Sequence, residues 1–172
     1  LARRTAVSVD TTLSAVALAA VAAGACIVND VSAAQEDPAI VDVACAGGAA
    51  LVLMHRLFAP GEDRWSTEAD PRRSYGDAVL DVRDWLAARA DAVIRAGLPR
   101  ERVVVDPGLG FGKDVRQNVE LLERLAEFAP LGLPVMVGAS RKSFLGAIAG
   151  EPDPARRDAA SVAAAVQAAS AG

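Results

Sequence analysis

Three polar residues close short apolar runs: Asp10 after AVSV, Asn29 after CIV and Asp106 after VVV. Each run is too short and too rich in β-branched residues for a helix, so each is predicted to be a strand ending on a group that can do chemistry. Polar groups at the C-terminal ends of parallel strands converge on one rim. A carboxylate and a carboxamide there can match the amino-amide edge of a heterocycle, since one only accepts hydrogen bonds and the other both accepts and donates. Taken singly, each residue reads equally well as a cap; three together point to a binding site.

Two further stretches carry chemistry. After Asp106 the chain runs PGLGFGK, with Gly108, Gly110 and Gly112 letting the backbone approach a neighbour. The spacing fails both the phosphate-binding G-x-x-x-x-G-K-[ST] and the dinucleotide G-x-G-x-x-G patterns. The second stretch, ASRKSFLG, sets Ser140, Lys142 and Ser143 between a strand and a helix. Hydroxyls, a cation and free amides suit a carboxylate or phosphate. A Schiff-base role for Lys142 and a merely solvated lysine stay open. Of 18 cationic residues only Lys113 and Lys142 are lysines, both beside glycine-rich strand ends, where a compact ammonium differs from a guanidinium fork. His55 has no second histidine to join it, which argues for a structural role and against zinc.

The elements that must position these groups follow a repeating plan. Strands are expected over residues 6–10, 26–30, 50–54, 103–106 and 134–138. Between them fall a helix opened by Thr11 and Thr12 with Leu13, Val16 and Ala20 along one face, and one opened by Asp37-Pro38 and ended by Gly47-Gly48. A long helix begins at Asp77 and buries Val79, Val82, Leu86, Val93 and Ile94; another covers residues 118–128, with Leu121, Leu122, Leu125 and Phe128 inward. An alanine-rich helix fills residues 155–171. Residues 56–74, with Pro60, Gly61 and Pro71, form a polar loop long enough to be a lid or a mobile segment. Five βα units predict a parallel α/β sheet in a single domain over residues 1–172, either doubly wound or an incomplete (β/α)8 barrel.

Composition narrows the function. At 172 residues, 52% hydrophobic but 4% aromatic, the core is built from Ala, Val and Leu. A net charge of −4 argues against nonspecific nucleic-acid binding. Cys26 and Cys45 lack CxxC spacing and are expected to be buried free thiols in a cytoplasmic protein. Arg3-Arg4 and the alanine-rich run to Cys26 imitate an export signal, but Asp10 and several hydroxyl residues interrupt it. No stretch has the apolar length of a membrane span. A start without Met, almost directly on a strand, reads as a piece of something longer.

Taken in order, SVDT (Ser8–Thr11), IVNDVS (Ile27–Ser32), LVLMH (Leu51–His55), VVDPGLGFGK and VGASRKSFLG resemble dihydropteroate synthase across nearly the whole chain. The resemblance implies a TIM barrel, usually dimeric and cytoplasmic, in a family targeted by sulfonamides. Such enzymes condense 6-hydroxymethyl-7,8-dihydropterin pyrophosphate with 4-aminobenzoate in folate biosynthesis, with Mg2+ on the pyrophosphate. It implies that Asn29 and Asp106 hold the pterin edge with Lys142 alongside, while Met54 and Gly138 line the pocket. Asp10 would lie near the pterin and stabilise positive charge as pyrophosphate leaves, making Asp10 and Lys142 the catalytic pair. Phe111 and Lys142 would pack the aminobenzoate ring, and Ser143 would take its carboxylate.

The family's Asn-Val-Thr-Pro-Asp-Ser-Phe and Gly-Gly-Glu-Ser-Thr-Arg-Pro-Gly loops and its final Arg-Val-His-Asp strand have no counterpart in this sequence. The chain therefore resembles barrel units three to seven, with no metal ligand of its own and with most of the pyrophosphate site elsewhere. The segment after His55, RLFAPGEDRW, also departs from the family run. Two alternatives remain: a methyltetrahydrofolate-dependent corrinoid methyltransferase of the same barrel group, and a catalytically incompetent pterin-binding fragment. In the last case, unpaired edges near residues 7–9 and 135–137 are expected to promote self-association.

Overall fold

A computed structural model of the chain describes residues 5–59 and 61–171. The Arg3-Arg4 pair and Pro60, both weighed above, lie outside the described residues. The elements run β1 (Ser8–Asp10), α1 (Ser14–Ala22), β2 (Ile27–Asp30), α2 (Ile40–Gly47), β3 (Ala50–Met54), α3 (Ala78–Arg95), β4 (Val103–Asp106), α4 (Val115–Glu123), α5 (Ser143–Ala149) and α6 (Asp158–Ser170). The strands form one parallel sheet in the order β1-β2-β3-β4. A doubly wound sheet reverses its strand order at a switch point. Here each described strand is simply added beside the last, as in a (β/α)8 barrel. The chain carries part of such a barrel's sheet.

The expected fifth strand is reduced to a single parallel bridge between Val105 and Val135. Val105 N donates to Pro134 O at 3.0 Å, and Met136 N to Val105 O at 2.8 Å. Pro134 brings no N–H to a ladder, which keeps the pairing this short.

The chain divides into two compact units. One holds residues up to His55 together with Trp85–Asp106 and Leu133–Met136; the other holds Arg56–Asp84, Pro107–Gly132 and the residues from Val137 onward. In the first, Val28, Leu51, Leu53 and Val103 project from one sheet face into a core shared with Ala17, Ile40, Ala44, Ala90 and Val93 from the helices. Gly47 lets α1 and α2 close up, because a Cβ there would meet Val21 Cγ1 at 2.2 Å. In the second unit α4, α5 and α6 pack on one another, with Phe128, Phe144 and Leu121 fully buried.

Several expectations need correction. Helix α1 does not bury Leu13 and Val16, which are 55% and 45% exposed; Ala17 is the buried residue. A helix that is apolar all round has no periodicity from which to choose a face. Thr11 and Thr12 do not cap it; Ser14 N donates instead to Asp37 Oδ2 at 2.7 Å. Helix α4 starts three residues earlier than expected, because Asp114 and Gln117 form a reciprocal capping box. It then tightens into a 3-10 segment over Leu125–Leu131, with the four predicted inward residues all buried. Cys26 is exposed rather than buried, and Cys45 is half-buried; both thiols are free. In α3, Val79, Val82, Leu86 and Val93 are buried as expected, while Ile94 is partly buried against the core.

Candidate functional site

Register explains why the strand-end residues share a face. Asp10 pairs with Asn29, Asn29 with Val52 and Val52 with Val104, while Met54 pairs with Asp106 two residues further along. Side chains alternate with period two, so Asp10, Asn29, Met54 and Asp106 all project from the same side of the sheet. This is the side opposite the Val28–Leu51–Val103 row that packs on the helices. Asp30, one residue past Asn29, falls on the helix side, where it is fully buried and accepts from Ser32 N and Ala34 N at 2.7 Å each. It closes a turn and plays no part in the rim.

Asn29 Nδ2 donates to Asp10 Oδ2 at 3.2 Å. Its Oδ1 is buried without a hydrogen-bond partner, a cost that native folds seldom leave standing without a ligand or water to relieve it. Asp106 and Met54 are both buried, 4% and 3% exposed. His55 is buried too; its ring meets Trp85 edge-on at 5.0 Å and its amide donates to Asp106 O at 2.9 Å, in keeping with a structural role.

In the second unit the glycine-rich turn is wound tightly around its own backbone. Gly108, Gly110 and Gly112 all take positive φ, a region open to glycine at little cost. Lys113 is fully buried, and its ammonium donates to Gly108 O at 3.0 Å and Phe111 O at 2.8 Å. The turn thus presents Phe111, and Lys142 Nζ sits 4.1 Å from that ring's centroid. Gly110 has no room for a side chain beside Lys142, since a Cβ would lie 3.1 Å from Lys142 Cδ. Ser143 opens α5, and its Oγ accepts from Ser66 N at 3.3 Å. Gly138 is exposed, with open space where a side chain would stand.

Sequence reasoning left residues 56–74 without a role; the structure shows the described part held down by hydrogen bonds. Buried Arg73 donates from Nη1 to Trp65 O at 3.2 Å and Glu68 O at 2.9 Å. Its Nη2 reaches Arg64 O and, at 3.3 Å, Asp63 Oδ1. Asp63 Oδ2 in turn accepts from Gly112 N at 2.6 Å, and Tyr75 OH donates to Gly112 O at 3.1 Å. Burial, reinforced by the charge of Asp63, raises the Tyr75 phenol above its ordinary value, so it remains a donor. Asp63, Arg64, Trp65 and Glu68 also join Gly110 and Phe111 around a cavity of about 480 Å3. The aromatic and acidic residues of the segment were visible in the sequence, but their attachment to the Phe111 turn was not.

The chain as a whole has counterparts among known proteins. The sequence profile described as "Pterin binding enzyme" matches residues 1–172. The chain belongs to the pterin binding enzyme family. It is 40% identical over 151 residues to dihydropteroate synthase of Synechocystis, covering 88% of the chain and 50% of that protein. Among solved structures it is similar to Xanthomonas albilineans dihydropteroate synthase with 4-aminobenzoic acid, at 39% identity and a TM-score of 0.87, covering 100% of this chain and 59% of that one. The same enzyme in complex with 7,8-dihydropteroate gives 40% identity and a TM-score of 0.85, covering 97% and 58%. The chain therefore spans about half the length of these relatives. Within the chain, Asp10, Asn29, Met54 and Asp106 belong to the first compact unit, and Phe111, Gly138, Lys142 and Ser143 to the second.

Proposed function

We propose that the protein carrying this chain is a dihydropteroate synthase, a transferase that joins 6-hydroxymethyl-7,8-dihydropterin pyrophosphate to 4-aminobenzoate and releases 7,8-dihydropteroate and pyrophosphate. The observation that carries this reading is Lys142 Nζ 4.1 Å above the Phe111 ring, with Ser143 next in sequence. An aromatic acid needs a flat apolar face for its ring and a cation and hydroxyl for its carboxylate. In methyl transfer from a folate to a corrinoid the benzoate carboxyl is already an amide, so a cation and hydroxyl beside the ring face favour the synthase over that alternative.

The strand ends supply the pterin half of the reading. The unpartnered Asn29 Oδ1 and the Asp106 carboxylate accept from the pterin amino and ring N–H groups, and Met54 lines the ring. The aniline nitrogen attacks the exocyclic methylene. The C–N bond forms as the C–O bond breaks, pyrophosphate leaves with the electron pair, and the nitrogen sheds a proton. Asp10, exposed and bonded only to a neutral amide among the described contacts, places negative charge where the methylene becomes positive.

Mg2+ enters this reading on the substrate pyrophosphate. Among the described residues no group of three His, Cys, Asp or Glu could hold a metal ion. The reading extends to a cytoplasmic homodimer and to sulfonamides as competitors of 4-aminobenzoate; two free cysteines suit a reducing compartment.

Dihydropteroate formation by the purified protein tests the reading, with Lys142→Met as the variant. We expect turnover by the wild type and a loss of about 100-fold or more in the variant, the usual scale for removing a group that stabilises developing charge. Equal turnover by the two proteins refutes the assignment of Lys142, and no turnover by the wild type refutes the activity.

A further inference from the structure

We propose that Asn118 and Ser66 are positioning residues for the aromatic-acid end of the site, acting through Ser143 and the Gly110 amide. The inference rests on the synthase reading and adds the groups that hold its 4-aminobenzoate end in shape.

Asn118 is fully buried, and its carboxamide is used on both sides. Oδ1 accepts from Gly110 N at 2.6 Å, fixing the backbone one residue before Phe111. Nδ2 donates to Asp114 O at 2.7 Å and is shared between Lys113 O and Ser66 Oγ at 3.2 Å each. Ser66, 3% exposed, passes the connection on, its own amide donating to Ser143 Oγ at 3.3 Å. One buried amide thus joins the turn bearing the aromatic face to the hydroxyl beside Lys142.

The chemistry of each link selects the residue. A carboxamide offers an acceptor and a donor pair in one rigid plane. A carboxylate at position 118 would still accept from Gly110 N, but would turn lone pairs toward the carbonyls of Lys113 and Asp114. At Ser143, accepting the Ser66 N–H uses one lone pair of the hydroxyl oxygen and leaves its hydrogen to donate to an acid. The carboxylate of 4-aminobenzoate is the acceptor such an oriented hydroxyl suits.

The test is steady-state kinetics of dihydropteroate formation with wild type, Ser66→Ala, Ser143→Ala and the double variant. Removing the Ser66 hydroxyl frees the segment that aims Ser143. It should raise KM for 4-aminobenzoate by about 3- to 10-fold, the range one neutral hydrogen bond supports, while KM for the pterin pyrophosphate stays unchanged. In the Ser143→Ala background the same change should add nothing, because the residue through which Ser66 acts is gone. Asn118→Asp should show the same selective rise. An active enzyme whose Ser66→Ala variant matches wild type, or loses the same factor with and without the Ser143 hydroxyl, overturns the positioning role alone. A wild type that makes no dihydropteroate overturns this inference together with the synthase reading.

Discussion

The strand ends and the loops treat their polar groups in opposite ways. At the strand ends, Asn29 keeps a buried oxygen without a partner and Asp10 faces solvent. In the loops the buried side chains are bonded chiefly to backbone: Arg73 to three carbonyls, with its Nε alone left over, Lys113 to two, Asn118 to two carbonyls and an amide. An unmade hydrogen bond costs stability and gains value when a ligand arrives; a made one contributes stability directly. The comparison separates Asp10 and Asn29, whose bonding capacity is left open, from loop side chains whose bonds are spent on backbone, so substitutions in the two regions should fail in different ways.

The largest effect is expected at Arg73. Its guanidinium and Asp63 form an ion pair whose side chains are 2% and 9% exposed, and removing one partner leaves a buried carboxylate uncompensated. Arg73→Met should destabilise the protein by about 3 to 5 kcal/mol in denaturant titration, with exposed Trp65 reporting the loosened segment. A loss below about 1 kcal/mol, the scale of a solvent-exposed pair, would show that the segment is held by something else and would erase the contrast between the regions.

Asn29→Ala should behave in the reverse manner. It deletes the unpartnered oxygen together with one bond to an exposed carboxylate that water can replace, so stability should move by less than about 1 kcal/mol. Pterin affinity, followed by calorimetry, should fall by about tenfold or more, because the ligand N–H would face no acceptor. A large loss of stability with unchanged affinity would mean that Asn29 is a structural residue after all.

The same division decides what the sequence reveals. Strands β2 and β4 are legible within a residue because β-branched runs end on polar groups, and β3 because an apolar run lies between Gly47-Gly48 and His55; the pairing of Asp10 with Asn29 follows from the polar ends. The inner face of α1 is not legible, since alanine and valine surround it. The start of α4 was legible in principle: Asp114-x-x-Gln117 is a capping signature, overlooked beside the louder glycine run. The fifth strand misleads because five apolar letters look alike whether they form a ladder or one bridge. Phe111 and Lys142 are marked by the family resemblance, while Asn118, Ser66 and Tyr75 carry no signal at all. They act on backbone atoms far along the chain, and a backbone carbonyl has no letter.

Acid should distinguish the regions more gently. In the loop unit, Asp77 is held below its ordinary pKa by the Leu80 amide and by Arg124, and Glu127 by the Arg124 guanidinium. In the sheet unit, hydrogen bonds from Ser14 lower Asp37. A carboxyl whose pKa is lower when folded binds fewer protons in the native than in the unfolded state. Its contribution is therefore complete above about pH 4, the unfolded value, and is lost as pH falls through the lower folded value. Thermal midpoints should accordingly be flat from neutrality to about pH 5 and fall below pH 4. Asp77→Asn removes one titration while keeping a side chain that caps Val79 and Leu80 equally well. The variant should melt slightly lower than wild type at pH 7, where only the wild type keeps its pairing with Arg124, and the gap should narrow as pH falls below about 4. An acid slope as steep in the variant as in wild type would assign the acid sensitivity to Asp37 and Glu127 instead, and so to a different balance between the two units.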